Sequence, residues 1–172
     1  MKKILLVTTV AALFSVQSAN AADGTINFTG NITDTACNVE ASSANQSVDL
    51  GTVSSSAFSG AGSTASPTRF TISLTTCPEA ASTAKVRFDG TTAPGNPSIL
   101  ALNSGQTAGS VGVAIYEDDS NTLIPIGTAS ASKTLSSTGT NTMTYIAKYM
   151  ATGASVSAGS ANATATFTIT YL

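Results

Sequence analysis

The run Ala161-Asn162-Ala163-Thr164-Ala165-Thr166-Phe167-Thr168-Ile169-Thr170-Tyr171 decides the fold class. Apolar and polar residues alternate along its whole length. Successive side chains of a strand point to opposite faces, so the run builds one apolar face and one face of threonine and asparagine. Threonine is β-branched and suits a pleated, half-exposed surface. A strand over residues 161–171 is therefore predicted.

The same period recurs upstream. Gly24, Ile26, Phe28, Gly30 and Ile32 alternate with polar residues, as do Phe70, Ile72 and Leu74. Val86 and Phe88 flank Arg87; Val111, Val113 and Ile115 form another set, and Tyr145, Ala147 and Tyr149 one more. Loop-like stretches punctuate the runs at 59–63 (Ser-Gly-Ala-Gly-Ser), 94–97 (Pro-Gly-Asn-Pro) and 117–121 (Glu-Asp-Asp-Ser-Asn). Past the first twenty-odd residues no window carries a helical stripe. Short alternating strands with regular punctuation predict an all-β protein, a β-sandwich of immunoglobulin-like architecture.

The N-terminus reads differently. Lys2 and Lys3 precede an apolar stretch from Ile4 to Val16, and Ala19-Asn20-Ala21 supplies small residues for cleavage. That is the layout of a secretory signal peptide, so residues 1–21 are set apart and Ala22 begins the mature chain. Without Lys2 and Lys3, five basic residues face nine acidic ones, a net charge of −4. Nucleic acid and anionic lipid both call for a basic face, and neither is an expected partner. No later run is apolar and long enough for insertion into a membrane. Cys37 and Cys77 are the only cysteines. In an exported chain an even count points to a disulfide, with two free thiols as the alternative.

Nothing in the sequence supports catalysis. The chain has no histidine, which removes the usual general base and the commonest metal ligand. Glu117-Asp118-Asp119 is the one acidic cluster, and a solvated turn accounts for it better than a cation site. No enzyme activity, cofactor or metal is expected.

The two chain ends carry a resemblance. The segment from Gly159 to Leu172 has a glycine fourteenth from the end, alternating apolar residues and a penultimate tyrosine, Tyr171. Tyr149-Met150-Ala151-Thr152-Gly153 precedes it, and Gly24-Thr25-Ile26-Asn27-Phe28-Thr29-Gly30 leads to Cys37 at the other end. Together with the Cys37–Cys77 spacing, these features make the mature chain resemble the pilins of chaperone–usher fimbriae, close to type 1 fimbrial structural subunits. Many members end in glutamine after the tyrosine, whereas this chain ends in Leu172.

The resemblance implies an incomplete immunoglobulin-like sandwich of six strands, completed in trans by a donor strand. It implies a donor extension over 22–33, with Gly24, Ile26, Phe28, Gly30 and Ile32 entering a neighbour's groove, and a pilin domain over 34–172. Gly159, Ala161, Ala163, Ala165, Phe167, Ile169 and Tyr171 would form the edge offered to chaperone and then to donor strand. The implied partners are a periplasmic pilus chaperone, an outer-membrane usher and neighbouring pilin subunits, along a route through the periplasm to the cell surface. From pattern alone, residues 24–32 are equally an ordinary first strand of a closed sandwich. A minor adaptor, anchor or terminator of the same fibre, or a receptor-binding adhesin, are the alternative functions.

Overall fold

The computed structural model describes residues 24–30 and 36–172. The signal-peptide assignment, and Ile32 of the donor assignment, lie outside them. The chain divides into two units, residues 1–32 and 33–172. In the first, residues 24–30 are irregular and exposed throughout. Ile26 is 78% and Phe28 91% exposed.

The second unit is nearly all β. Its strands are β1 (Asn38–Val39), β2 (Thr64–Thr75), β3 (Thr83–Asp89), β4 (Thr92–Ala93), β5 (Asn96–Leu100), β6 (Val111–Glu117), β7 (Lys133–Thr134), β8 (Asn141–Ala151) and β9 (Thr166–Tyr171). Six of these, β2, β3, β5, β6, β8 and β9, have five or more residues. A four-residue helix α1 (Ala41–Ala44) and a 3-10 turn (Ser55–Ala57) lie between β1 and β2. The strands form a six-stranded sheet, β1-β2-β8-β6-β5-β4, and a three-stranded sheet, β7-β3-β9, with every described pairing antiparallel.

The core forms where inward residues of the two sheets meet. Ile72 and Leu74 of β2, Met143 and Tyr145 of β8, and Val113 and Ile115 of β6 are buried with Ala84, Val86 and Phe88 of β3. Phe88 stands edge-on to Tyr145 at 5.1 Å between ring centroids, and to Phe70 at 6.0 Å. Such edge-to-face pairs join the sheets with a preferred geometry on top of apolar burial. Cys37 and Cys77 are bonded to each other within this core. By the chain-entropy estimate a closure of this length is worth about 4 kcal/mol.

Two findings depart from the sequence pattern. The strand predicted over 161–171 is assigned only from Thr166 to Tyr171, because β3 ends at Asp89, opposite Thr166. Also, β6 and β8 are buried on both faces. Ile99, Ala114, Tyr116, Ile146 and Met150 form a second apolar cluster behind the six-stranded sheet. Period-2 reading assigns those positions to solvent. The β4–β5 hairpin, turning at Gly95 with φ +79°, contributes Ala93 and Ile99 to this cover.

Candidate functional site

The C-terminal segment has two edges, and hydrogen bonding distinguishes them. Leu172 and Thr83 exchange both backbone bonds, each 2.9 Å. In an antiparallel pair such bonded positions recur at every second residue. The register Lys85↔Thr170, Arg87↔Thr168 and Asp89↔Thr166 therefore places the backbone groups of these threonines toward β3. Val86 and Phe88 direct theirs the other way, accepting from Ser130 and Gly127. Beyond the end of β3, Asn162 and Ser160 continue the even-numbered edge. The carbonyl of Asn162 accepts from the Asn103 amide at 2.8 Å, and that of Ser160 from the Thr107 and Ala108 amides.

It follows that the N–H and C=O groups of Phe167, Ile169 and Tyr171 face the opposite edge of β9. No strand pairs there among the described residues. The outer strand β1 of the larger sheet pairs only with β2.

Side chains on the same residues show what the open edge leaves uncovered. Ala163, Phe167, Ile169 and Tyr171 pack on the core but stay only half-buried, as do Val39, Leu50, Phe70 and Tyr149. These apolar residues lie at the margin of the core, partly open to solvent. Burial raises the Tyr171 phenol above its ordinary pKa, and the Cys37 N–H works against the rise. Burial likewise raises Tyr149, with a smaller push from the Asp49 carboxylate. A cavity of about 330 Å³ lies between Thr52, Val53 and Phe58 on one side and residues 156–162 on the other, beside Tyr149.

Gly159 lines that cavity. A Cβ there would stand 2.3 Å from the Ala108 nitrogen and 2.4 Å from the Thr107 carbonyl carbon, so only glycine lets the two backbones approach this closely. Ala161 and Ala163 are half-buried, while Ala165 is exposed, contrary to the apolar face predicted for it. The chain changes partner from loop 103–108 to β3 at this point. Of the N-terminal residues, Gly24, Ile26, Phe28 and Gly30 are exposed, and nothing lies within 4 Å of a Cβ built on either glycine.

The acidic cluster is a closed turn. The Asp119 carboxylate accepts from the Thr122 hydroxyl and the Thr122 and Asn121 amides, which lower its pKa. Asp118 pairs with Arg69 at 2.8 Å, and Glu117 accepts from the Ala131 amide. Among the described residues no group of three acidic or cysteine side chains could hold a metal ion, and no helix is long and apolar enough to cross a membrane.

Residues 26–172 match the family described as fimbrial protein. This chain belongs to the fimbrial protein family. Over 184 aligned residues it is 38% identical to fimbrial subunit type 1 of Salmonella typhimurium, covering 99% of this chain and 100% of that one. Among solved structures it is similar to the antigen and type I fimbria protein of Burkholderia pseudomallei, with 42% identity and a TM-score of 0.62. That match covers 86% of this chain and 97% of the other. It also resembles the P pilus rod subunit PapA, with 26% identity, a TM-score of 0.66, and 79% and 99% of the two chains covered. The fimbrial fold is the immunoglobulin-like pilin sandwich, and the chain is a structural subunit of a surface appendage, not an enzyme.

The sequence pattern identified the C-terminal alternation. It missed residues 51–58, several of which line the cavity beside Gly159. These residues have no period, and only the fold brings them to Gly159.

Proposed function

We propose that the open edge of residues 161–171 receives an extended segment of a neighbouring subunit, and that residues 24–32 are the segment this chain gives in turn. The observation that carries this reading is the coincidence of two features on the same residues. Phe167, Ile169 and Tyr171 direct unpaired backbone groups to one edge and leave their apolar side chains half-covered. A strand added there satisfies both at once: its backbone completes the ladder, and every second side chain enters the groove.

Residues 24–32 have the composition for that task. Gly24, Ile26, Phe28, Gly30 and Ile32 share one face of an extended chain. Among the described residues 24–30, Ile26 and Phe28 are large and exposed. Burying Ile26, Phe28 and Ile32 contributes roughly 5–9 kcal/mol before ordering costs, at about 1.5–3 kcal/mol each. On this reading residues 1–21 are removed on export, residues 22–33 form the donor extension and residues 34–172 the receiving domain. An open edge of this kind is an aggregation hazard. A periplasmic chaperone covers it first, and an outer-membrane usher exchanges the chaperone for the next subunit.

The decisive experiment replaces both exposed apolar side chains, Ile26→Asp with Phe28→Asp, and images the cell surface by electron microscopy. The expected result is a folded, disulfide-bonded subunit recovered from the periplasm and complete loss of fibres. Fibres of normal length from the double variant would overturn the assignment of the donor segment.

A further inference from the structure

Strand β9 is shorter than the segment proposed to pair with it. It has six residues, Thr166–Tyr171, whereas residues 24–32 span nine. Paired strands match residue for residue, so six residues offer main-chain partners to only part of a nine-residue segment. Ahead of β9 no residue of β3 remains to hold the chain, since its last pairing is Asp89↔Thr166. Residues 157–162 are nevertheless held. Gly109 and Ser157 exchange both backbone bonds, at 3.3 and 3.1 Å, and the Ser160 and Asn162 carbonyls accept amides of loop 103–108.

Two side chains complete that hold. The Ser160 N–H donates to Thr107 Oγ1 at 3.0 Å, and the Asn162 N–H donates to Gln106 Oε1 at 2.9 Å. The loop is a turn: the Gln106 N–H donates back to the Asn103 carbonyl at 3.2 Å, and Gly105 has φ +82°. A turn does not present carbonyls at strand spacing, so side chains supply the acceptors that a strand's backbone would. Asn103 Nδ2 adds a bond to the Thr164 hydroxyl at 3.0 Å. Gly159 makes room for the arrangement, because a Cβ there would stand 2.5 Å from Thr107 Oγ1. Both main-chain groups of Ser160 and of Asn162 thus turn to the loop. Those of Ala161 between them point the other way, as alternate residues of an extended chain do. Neither Ala161 nor Ala163 has a backbone partner among the described residues.

We propose that Gln106 and Thr107 are positioning residues for strand uptake. They stand in for β3 where it is absent and hold residues 160–163 extended, so that Ala161 and Ala163 offer main-chain partners beyond the end of β9. The receiving edge then extends far enough for a nine-residue segment. This inference rests on the reading that the C-terminal segment receives a strand, and it names what sets the length of strand received. Recognition at these added positions is by backbone, since Ala161 and Ala163 carry only methyl groups. Side-chain selection stays with the half-buried Phe167, Ile169 and Tyr171.

The test is residue-resolved hydrogen exchange on the mature subunit from the periplasm and on fibres sheared from cells. Thr107→Val keeps the side chain's shape and removes the acceptor; Gln106→Ala removes the other. In the lone subunit the Ser160 amide should exchange at least about tenfold faster in Thr107→Val than in the unsubstituted chain, and the Asn162 amide likewise in Gln106→Ala. In unsubstituted fibres Ala161 and Ala163 should slow at least about tenfold relative to the lone subunit. In fibres of either variant they should stay fast, while Phe167, Ile169 and Tyr171 slow as before. Thr107→Ser and Gln106→Glu retain an acceptor oxygen and should restore the slowing. A variant that folds but makes no fibres, with fibres restored by the conservative substitution, also supports the proposal. Unchanged slowing of Ala161 and Ala163 in both variants would remove the positioning role, as would a Thr107→Val chain that fails to fold. Slowing of Phe167, Ile169 and Tyr171 alone in unsubstituted fibres would also remove it, and strand uptake would stand. If none of the five amides slows in those fibres, strand uptake at this edge falls, and the positioning role with it.

Discussion

Strands β8 and β9 share a stretch of apolar–threonine alternation and have different surroundings. Met143-Thr144-Tyr145 of β8 and Phe167-Thr168-Ile169 of β9 alternate apolar residues with threonine, and both strands direct a tyrosine toward the same core. Between β2 and β6, β8 has both edges bonded and both faces covered, leaving Tyr145 only 3% exposed. Bonded to β3 alone, β9 leaves Phe167, Ile169 and Tyr171 half-buried. Incompleteness is thus a property of neighbours rather than of strand sequence. A strand with β9's composition would be an ordinary central strand if another lay beside it.

Hydrogen exchange tests this difference most sharply. In the subunit before assembly, the amides of Thr168 and Thr170 should exchange at least about a hundredfold more slowly than those of Phe167, Ile169 and Tyr171, because only the former bond to β3. Along β8 both parities should be slow. In the fibre the odd amides of β9 should join the slow class. Uniform protection of 167–171 in the lone subunit would mean that the edge is already occupied.

Truncation of one apolar side chain on each strand gives a smaller effect. Met143→Ala on β8 empties a fully enclosed site, since Met143 is 2% exposed, and should cost about 2–5 kcal/mol in a denaturant titration. Ile169→Ala on β9 should cost less than half as much in the lone subunit, because its contacts are one-sided, and more once a donor strand covers it. Equal costs in the lone subunit would remove the distinction between a sealed and an open wall.

The tyrosines give the smallest signal. Burial raises the phenols of Tyr145, Tyr149 and Tyr171 above their ordinary 10.0. For Tyr145 the Ser130 hydroxyl opposes this and Glu117 adds to it. An acid whose folded pKa is raised contributes stability that is fully present below its unfolded value and lost as pH rises through the folded one. Alkaline destabilisation should therefore set in above pH 10. Filling the groove should move Tyr149 and Tyr171 further upward in an ultraviolet titration of phenolate while leaving Tyr145 in place. Equal movement of all three would place the added strand elsewhere.

Much of this was legible in the residues. Alternation in 70–74, 86–88, 111–115 and 145–149 marked strands that exist, because a strand's two faces impose period 2 wherever one face is buried. The same rule misread Ala114, Tyr116 and Ile146 as solvent-facing. It could not foresee that the β4–β5 hairpin folds over the outer face of β6 and β8. It also extended the last strand back to Ala161, since alternation persists there although β3 does not.

What the sequence determined by itself is the all-β character and the alternation in the C-terminal segment and in residues 24–32. Each is a local property, set by which side chains share a face. Tertiary structure decided which edge of residues 160–172 is bonded and which is open. That choice depends on where β3 ends, where loop 103–108 begins and the absence of a strand between β1 and β9 among the described residues. Hydrogen bonds between segments far apart in sequence leave no period in either one, so the open edge emerges only when the chain is folded.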